Sequence, residues 1–306
     1  MRRVFLWAAR NQWLKGHLPQ MRFMRRAVRR FMPGETLDDA LTAAVPLERL
    51  GITSMYTRLG ENLESLAEAD GVADHYIEVL DRIKTSGMKG EISVKPTQLG
   101  LDLDADVCLA HLVRLAEHAT ATGSYLWVDM EGSAYTESTI VLYERLRRVQ
   151  PDTGICLQAY LRRTAADIQR LLPLDPAIRL VKGAYDEPES LAFRGKSAVD
   201  SSYAGLAIRF LLDGRGRPIK LGLGTHDVGL IEQIAEQVGQ AGVGRDGYEV
   251  QMLYGIREDQ QKRLLKDGYK VRSLIAYGEH WYPWYMRRLA ERPANVWFAL
   301  RQILPF

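Results

Sequence analysis

Short runs of apolar and often β-branched residues recur along most of this chain, and polar or turn-forming residues bound each of them. Runs of this length and composition are typical of strands that are buried on both faces. Eight such runs are predicted to be strands, at residues 52–56, 92–94, 125–128, 154–157, 178–181, 219–223, 248–252 and 269–275.

The stretches between these runs carry apolar residues every three to four positions, which is the period of an amphipathic helix. Helices are predicted around residues 107–116 and at 140–149, 166–172, 204–212, 228–238 and 260–266. A further helix is predicted to begin after Thr36, because Asp39 stands three residues further on and completes a capping-box pattern.

The alternation of strand and helix predicts the fold class. Consecutive βα units, eight in all, favour an α/β chain folded as a (β/α)8 TIM-type barrel. An open doubly wound sheet is the alternative, but no G-x-G-x-x-G turn follows the first strand. We expect extra N-terminal helices in an arm at residues 1–48, a barrel at 49–306 and a final helix over the barrel mouth.

Length and composition leave room for such a barrel. The chain has 306 residues, of which 46% are hydrophobic, so it can form a large core. Its two cysteines, Cys108 and Cys156, lie far apart and cannot assemble a disulfide framework or a thiolate metal site, which favours a reducing, cytoplasmic location. No apolar run is long enough to span a membrane, and the N-terminus lacks a secretory pattern.

The first thirty residues are strongly basic. They contain nine Lys and Arg residues and no acidic residue, and Trp13, Leu14, Met21 and Phe23 are among the apolar residues between them. We expect this basic arm to pack on its own domain, with peripheral contact with an anionic membrane as the alternative. Nucleic-acid binding is disfavoured, because nothing else in the chain resembles a nucleic-acid module.

Polar residues at the predicted strand ends are the candidates for chemistry, because the active sites of such barrels lie at the carboxyl ends of the strands. These residues are Lys95, Asp129, Glu131, Gln158, Arg179, Lys182, Thr225, His226 and Gln251. The four basic ones should converge, with Asp129 as their main counter-charge. Since a cluster of cations is costly without compensation, we expect a bound anion.

The segment at residues 282–295 is predicted to be a helix, with Pro283 in its first turn and the Pro293-Ala294 step ending it. Its adjacent Arg287 and Arg288 suit bidentate binding of a substrate carboxylate if the helix covers the barrel mouth. Glu291 stands four residues after Arg287 and could orient it. An exposed basic helix face is the alternative.

The motifs resemble those of the flavin-dependent proline dehydrogenases, in particular the monofunctional bacterial type. They are SVKPTQLGL at 93–101, WVDMEGS at 127–133, LQAYLRRT at 157–164, RLVKGAYDEP at 179–188, GTHD at 224–227, YEVQMLYGIR at 248–257 and RRLAERPAN at 287–295. The chain is also similar to this family nearer its N-terminus, at FMPGETLDDAL and TRLGENL. The resemblance therefore covers nearly the whole chain.

This resemblance implies a distorted barrel that holds FAD noncovalently, oxidises the amine of a proline ring to an imine and passes the electrons to a quinone. It places Arg179 near the flavin N5. The implied cofactor contacts are Asp129, Gln158, Arg179, Lys182, Gly183, Ala184, Tyr185, Thr225, His226 and Gln251. The implied substrate contacts are Lys95, Leu274, Tyr277, Trp284, Arg287, Arg288 and Glu291. The implied catalytic residues are Lys95, Asp129, Arg179, Arg287 and Arg288, and no metal is implied.

Two positions depart from the family's pattern. Family members usually carry tyrosines around the substrate ring where this chain has Leu274 and Trp284, although Tyr277, Tyr282 or Tyr285 could supply a substitute ring. We therefore expect the flavin chemistry to be retained on a small amino acid, with proline itself not the best substrate. The candidates are a hydroxyproline, a six-membered ring homologue and an N-substituted or hydrazino acid.

Other functions stay open. A Schiff-base aldolase would use Lys95 or Lys182 as its nucleophile. A catalytically silent flavin-binding module would have lost turnover through Leu274 and Trp284. A metal-dependent hydrolase is disfavoured, because only His226 of the six histidines follows a predicted strand.

Overall fold

The structure is a computed structural model, which describes residues 28–60 and 63–291 together with residues 7, 11–17, 21 and 24. The side chains of residues 12, 15, 287, 290 and 291 lie outside the described set.

Eight parallel strands form a closed barrel in chain order. They are β1 Thr53–Arg58, β2 Gly90–Val94, β3 Leu126–Val128, β4 Thr153–Gln158, β5 Ala177–Val181, β6 Lys220–Gly224, β7 Glu249–Leu253 and β8 Lys270–Tyr277. The last strand pairs with the first, in a register that runs from Thr53 opposite Arg272 to Arg58 opposite Tyr277. This closure confirms the predicted barrel and excludes an open sheet.

Among the helices of the described residues, two precede the first strand, seven follow strands β1 to β7 in turn, and the last follows β8. They are α1 Gln12–His17, α2 Leu37–Arg49, α3 Leu66–Ser86, α4 Ala105–Thr122, α5 Thr136–Val149, α6 Thr164–Leu171, α7 Lys196–Asp213, α8 Val228–Gly239, α9 Glu258–Lys266 and α10 Trp281–Glu291. Helix α2 begins with the predicted capping box between Thr36 and Asp39. Helix α3 is not among the predicted helices, because two of its six buried residues are alanines and weaken the apolar pattern.

The core lies between the barrel and its helices. Strand side chains alternate in direction, so one set faces outward and packs against the helices. Outward residues such as Ile92, Val94, Leu126 and Val128 are completely buried there. The apolar half of each strand therefore forms the core, and the inward half is free to carry polar groups.

The inward set includes three ions at the amino-terminal end of the barrel, here called the base cluster: Glu91, Glu249 and Arg272. The Arg272 guanidinium lies 2.7 Å from a carboxylate oxygen of each glutamate. It also donates a hydrogen bond to the carbonyl oxygen of Ser54 at 3.1 Å. The amino-terminal end of the barrel is thus closed by a buried ion network.

The final helix lies over the opposite end, as predicted. Trp281, Tyr285 and Met286 of α10 pack in one apolar cluster with Leu59, which follows β1, and Ala276, near the carboxyl end of β8. Met24, Val28, Phe31 and Met32 of the N-terminal segment belong to the same cluster. The predicted end of the helix at residues 293–294 lies outside the described residues.

The N-terminal segment also crosses the loop after β7. The backbone carbonyl of Arg30 comes so close to Gly255, which has φ 71°, that a Cβ atom at this position would collide with it. The division into an arm at residues 1–48 and a barrel at 49–306 stays a prediction. Among the described residues, no helix combines the length and the apolar character needed to cross a membrane.

Candidate active site

Arg179 of β5 is a buried charged group inside the barrel. Its Nη2 donates a hydrogen bond to Oδ1 of Asp129, a residue that directly follows β3. It also donates to Oγ of Ser93 in β2, at 2.9 Å. Its Nη1 contacts the sulfur of Met55 in β1 at 2.8 Å. Four strands therefore fix one guanidinium in the middle of the barrel.

Burial opposes the charge on Arg179, but Asp129 and Cys156 together outweigh it and raise the pKa of the guanidinium. Ser93 also donates to Asp129 Oδ1 at 2.8 Å, so the carboxylate is held from two sides. The pair is a permanent and rigid dipole, which is the type of group that stabilises charge in an active site without reorganising.

A second set of ions, here called the mouth cluster, consists of Lys182, Lys196, Asp200 and Asp227. Lys182 Nζ lies 2.5 Å from Asp200 and 3.1 Å from Asp227, and Lys196 binds the same two carboxylates. Burial opposes ionisation of Asp227, but hydrogen bonds from Lys196 and Lys182 outweigh it and lower its pKa to about 2. The same balance lowers the pKa of Asp200.

A cleft adjoins this cluster. It has a volume of about 430 Å³ and is lined by Lys196, Ser197, Asp200, Ser201 and Gln233. The Lys196 ammonium and the Asp200 carboxylate both line the cleft, together with two hydroxyl groups and an amide, so its wall is polar.

Lys95, which follows β2, and Gln158, at the end of β4, lie around Glu131. Burial raises the pKa of Glu131, although Lys95 and hydrogen bonds from Thr97 act in the opposite direction. The Gln158 amide donates to the carbonyl oxygen of Glu131 at 3.1 Å, while its Oε1 atom is buried and has no partner within the part of the chain that the structure describes. This oxygen can accept a hydrogen bond from a ligand that enters the mouth.

The loop after β5 contains Gly183, Ala184 and Tyr185. Gly183 has φ 118°, and a Cβ atom there would collide with the ring of Tyr160, so only glycine fits. Glu187 ties this loop to the loop after β3 by accepting hydrogen bonds from the backbone N–H, at 2.7 Å, and the hydroxyl of Ser133. The two loops that carry Asp129 and Lys182 are therefore fixed to each other.

Thr225 and His226 follow β6. Thr225 is buried and accepts a hydrogen bond from the backbone N–H of Asp227 at 3.2 Å. His226 Nε2 lies 3.4 Å from the backbone nitrogen of Leu253, and its carbonyl oxygen accepts from Arg257 at 2.8 Å. These contacts place both residues at the mouth beside the mouth cluster.

Helix α10 brings Arg288 to the β1 and β8 side of the mouth. The guanidinium carbon of Arg288 lies 6.0 Å from the centre of the Trp284 ring. Arg287 and Glu291 belong to α10, but their side chains lie outside the described set. Leu274 is half-buried in β8 and packs against the apolar cluster that contains Met55 and Trp127.

Three tyrosines do not lie where the substitute-ring hypothesis needs them. Tyr277 faces outward, and its hydroxyl lies 2.7 Å from Nε2 of His75 in α3. Tyr282 and Tyr285 are buried in the apolar cluster between α10 and the N-terminal segment. Gln251 also lies away from the rim, since its amide donates to Glu249 of the base cluster at 2.8 Å and packs on Gly222.

The prediction that Asp129 is the main counter-charge of the basic residues at the mouth is incomplete. Asp129 is the counter-charge of Arg179, but Lys182 has its own carboxylates, Asp200 and Asp227. The cations of the mouth are thus largely compensated within the protein, so their clustering does not by itself require a bound anion. Sequence reasoning missed Asp200 and Lys196, which lie in α7, and the GTHD motif was the available signal for Asp227.

Fold and site together define the class of protein: a closed (β/α)8 barrel with its polar site at the carboxyl ends of the strands, as in enzymes of this architecture. The family model "Proline dehydrogenase" matches residues 40–301. The chain belongs to the proline dehydrogenase family, whose members are flavin-dependent oxidoreductases acting on a CH–NH donor.

Individual relatives agree with this assignment. Proline dehydrogenase 1 of Bacillus subtilis strain 168 is 35% identical over 304 residues, which is 99% of each chain. The proline dehydrogenase of Deinococcus radiodurans is 35% identical over 280 residues, covering 90% of this chain and 89% of the relative.

The crystal structure of proline utilization A from Bdellovibrio bacteriovorus, inactivated by N-propargylglycine, has a TM-score of 0.80 at 20% identity. The match covers 94% of this chain but only 38% of that longer chain, and it supports the fold alone.

Proposed function

We propose that the protein is an FAD-dependent dehydrogenase that oxidises the amine C–N bond of proline, or of a closely related small amino acid, to an imine. The observation that carries this proposal is the buried Arg179–Asp129 pair inside the mouth, with Ser93 and Met55 completing the set of contacts. Family membership supports the reaction class.

The residues of the mouth fit a flavin nucleotide. The unpartnered Oε1 of Gln158 suits an N–H donor of the ring system, and the 430 Å³ cleft beside Lys196 suits the nucleotide end. Lys182 and Lys196 would hold its phosphate groups. The loop at residues 183–185, with Thr225 and His226, would complete the binding site.

When bound, the flavin supplies a two-electron acceptor. Arg179 then provides a fixed positive charge that stabilises negative charge developing beside it. Asp129 keeps that guanidinium charged and in place, and it is the carboxylate on the substrate side that could accept a proton from the amine.

The substrate carboxylate would bind to Arg288 together with Arg287, as the sequence predicts, and Lys95, which follows β2, would contact the substrate as well. Binding at two guanidinium groups fixes the orientation of the reacting C–H bond, which is an entropic contribution to the rate. Glu291 remains a predicted support of this pair.

An absorbance spectrum of the purified protein, followed by anaerobic titration with proline, tests the proposal. We expect a yellow protein whose absorbance at the flavin band bleaches on addition of substrate. A colourless protein that borohydride traps with a keto substrate would support the Schiff-base aldolase instead. A yellow protein that no amino acid bleaches would support a silent flavin-binding module.

We further propose that Leu274 and Trp284 move the substrate preference away from proline itself. Leu274 faces the barrel interior without a hydrogen-bonding group, and Trp284 places an indole beside Arg288. The test compares kcat/KM for proline, hydroxyproline, a six-membered ring homologue and hydrazino or other N-substituted acids. Proline ranking first would contradict the proposal, and Leu274→Tyr should raise the value for proline relative to the others.

A quinone is the proposed electron acceptor, and the basic arm is the proposed contact with an anionic membrane. Trp7 and Trp13 are 61% and 63% exposed, in a segment whose only charges are positive. Vesicles with anionic lipid should retain the protein at low salt, whereas neutral vesicles should not. Trp7→Ala with Trp13→Ala should weaken retention, while the control Val141→Ala with Val149→Ala, also exposed, should not.

A further inference from the structure

One aromatic side chain connects the base cluster to the group at the centre of the proposed site. Trp127 of β3 is 3% exposed. Its Nε1–H donates to Glu91 Oε2 at 2.6 Å, and Glu91 is in turn bound to Arg272. The acceptor of the indole is therefore itself held in place by an ion pair.

Neighbouring residues fix the indole laterally. Gly154 of β4 lies opposite Trp127 in the strand register, and a Cβ atom there would lie 2.5 Å from two ring carbons. The ring of Tyr125 stands 5.5 Å from the indole, centre to centre, with an angle of 49° between the planes. Glycine at position 154 leaves the space that the ring of Trp127 occupies, so the indole packs directly against the backbone of β4.

Arg179 lies over this indole. The guanidinium carbon is 5.8 Å from the ring centre, which is within the range of a cation–π contact. The other contacts of Arg179 are made at its nitrogen atoms, to Asp129, Ser93 and Met55. A cation–π contact is strongest where water is excluded, and both Arg179 and Trp127 are buried.

We propose that Trp127 is a positioning residue for the oxidation. Its indole ring is held by the hydrogen bond to Glu91, and it fixes the position and orientation of the Arg179 guanidinium in the proposed site. The proposal rests on the proposed function, because it gives Arg179 its role. Small displacements of a fixed charge have large effects on rate, so the residue beneath Arg179 contributes to catalysis without touching the substrate.

Three variants separate positioning from simple filling of the core. Trp127→Leu removes the ring, and Trp127→Phe keeps an aromatic face but loses the hydrogen bond to Glu91. Tyr125→Phe is the matched control, because it removes a hydrogen bond from the same apolar cluster, the one to the carbonyl oxygen of Thr153. That bond does not lead to Arg179.

In the flavin-loaded enzyme we expect Trp127→Leu to lower kcat roughly tenfold with KM for the amino acid unchanged, the size of a lost buried cation–π contact. Trp127→Phe should have a smaller effect in the same direction, and Tyr125→Phe none. The reduction potential of the bound flavin should become more negative by about 30 mV in Trp127→Leu, which is a tenfold change in a two-electron equilibrium.

A double-mutant cycle with Arg179→Met completes the test. If Trp127 acts through Arg179, Trp127→Leu should lower kcat much less in the Arg179→Met background than in the wild type. In the apoprotein, the fall in the urea midpoint of the double variant should be smaller than the sum of the falls in the two single variants. Equal effects of Trp127→Leu in both backgrounds would show that Trp127 only fills the core.

The two proposals fail in different ways. If no amino acid reduces the wild-type protein, the proposed function is wrong whatever the variants do. If the wild type is active and Trp127→Leu and Trp127→Phe keep its kcat and flavin potential, the positioning role is wrong. Should Trp127→Leu not fold, Trp127→Phe decides, since it leaves an aromatic ring in place and removes the hydrogen bond to Glu91.

Discussion

At the base of the barrel Arg272 binds Glu91 and Glu249, whereas at the mouth Lys182 and Lys196 bind Asp200 and Asp227. Burial raises the pKa of Glu91, and Arg272 only partly offsets it while Glu249 adds to it. At the mouth, two ammonium groups overcome burial and lower the pKa of Asp227 to about 2. The base has more acids than cations, and the mouth is balanced.

This difference shows that a buried ion does not by itself mark an active site. The ions of the base bind one another, Trp127, Gln251 and the Ser54 backbone, and they close the amino-terminal end of the barrel. The ions of the mouth stand beside a cleft and beside the unpartnered oxygen of Gln158. Open space beside the ions, rather than charge, distinguishes the functional end, since Gln251 at the base also has a buried oxygen without a partner among the described residues.

The largest expected effect concerns the base. Arg272→Met should reduce the free energy of unfolding by about 3–5 kcal/mol, because it leaves two buried carboxylates without their cation. Urea denaturation of the apoprotein measures this. Adding Glu91→Gln and Glu249→Gln should recover most of the loss, and a loss that persists in the triple variant would contradict the electrostatic explanation.

Arg179→Met should lower kcat by about 10²–10³-fold, the usual effect of removing one preorganised charge or donor from an active site. Anaerobic stopped-flow measurement of flavin bleaching checks the rate. Glu249→Gln is the control, since it alters an inward-facing ion of the base, and it should leave kcat near the wild-type value. Equal losses of kcat in the two variants would show that the base and the mouth of the barrel do not differ in their contribution to the reaction.

The two ends should respond to pH with opposite signs. Because the pKa of Glu91 is raised above its usual value of 4.5, the folded protein binds a proton that the unfolded chain releases, and stability is lost as pH rises from 4.5 through the raised value. Because the pKa of Asp227 is lowered from 3.8 to about 2, its stabilisation is present above pH 3.8 and lost as pH falls toward 2.

The unfolding free energy measured as a function of pH tests both signs. Glu91→Gln should make the decline above pH 4.5 less steep and leave the acid limb unchanged. Asp227→Asn should flatten the acid limb alone. A variant that changes the other limb would show that its carboxyl group has been assigned the wrong ionisation behaviour.

The smallest expected effect is that of Lys196→Ala. The Lys196 side chain is 77% exposed, so its ion pairs at the mouth should contribute less than about 1 kcal/mol to stability. Flavin affinity should fall more clearly, if Lys196 holds a phosphate group. Lys262→Ala on α9 is the control, and equilibrium dialysis of FAD against both apoproteins measures the difference.

The sequence determined the eight strands and most of the helices, because buried apolar runs and helical periods are local properties of the chain. It also located Asp129, Gln158 and Arg179, since a barrel brings the carboxyl ends of all its strands to one mouth. Helix α3 was not predicted, because Ala69 and Ala73 give its buried face little apolar contrast.

Tertiary structure alone decided the directions and partners of the side chains. Tyr277 lies one residue beyond Ala276, so it points to the outside of the barrel and contacts His75, while Leu274 points inward. Closure of the barrel brings together residues from distant strands, as with Met55 and Arg179 or Glu91 and Arg272. No local pattern encodes such contacts, because they depend on how the whole sheet closes across its interior.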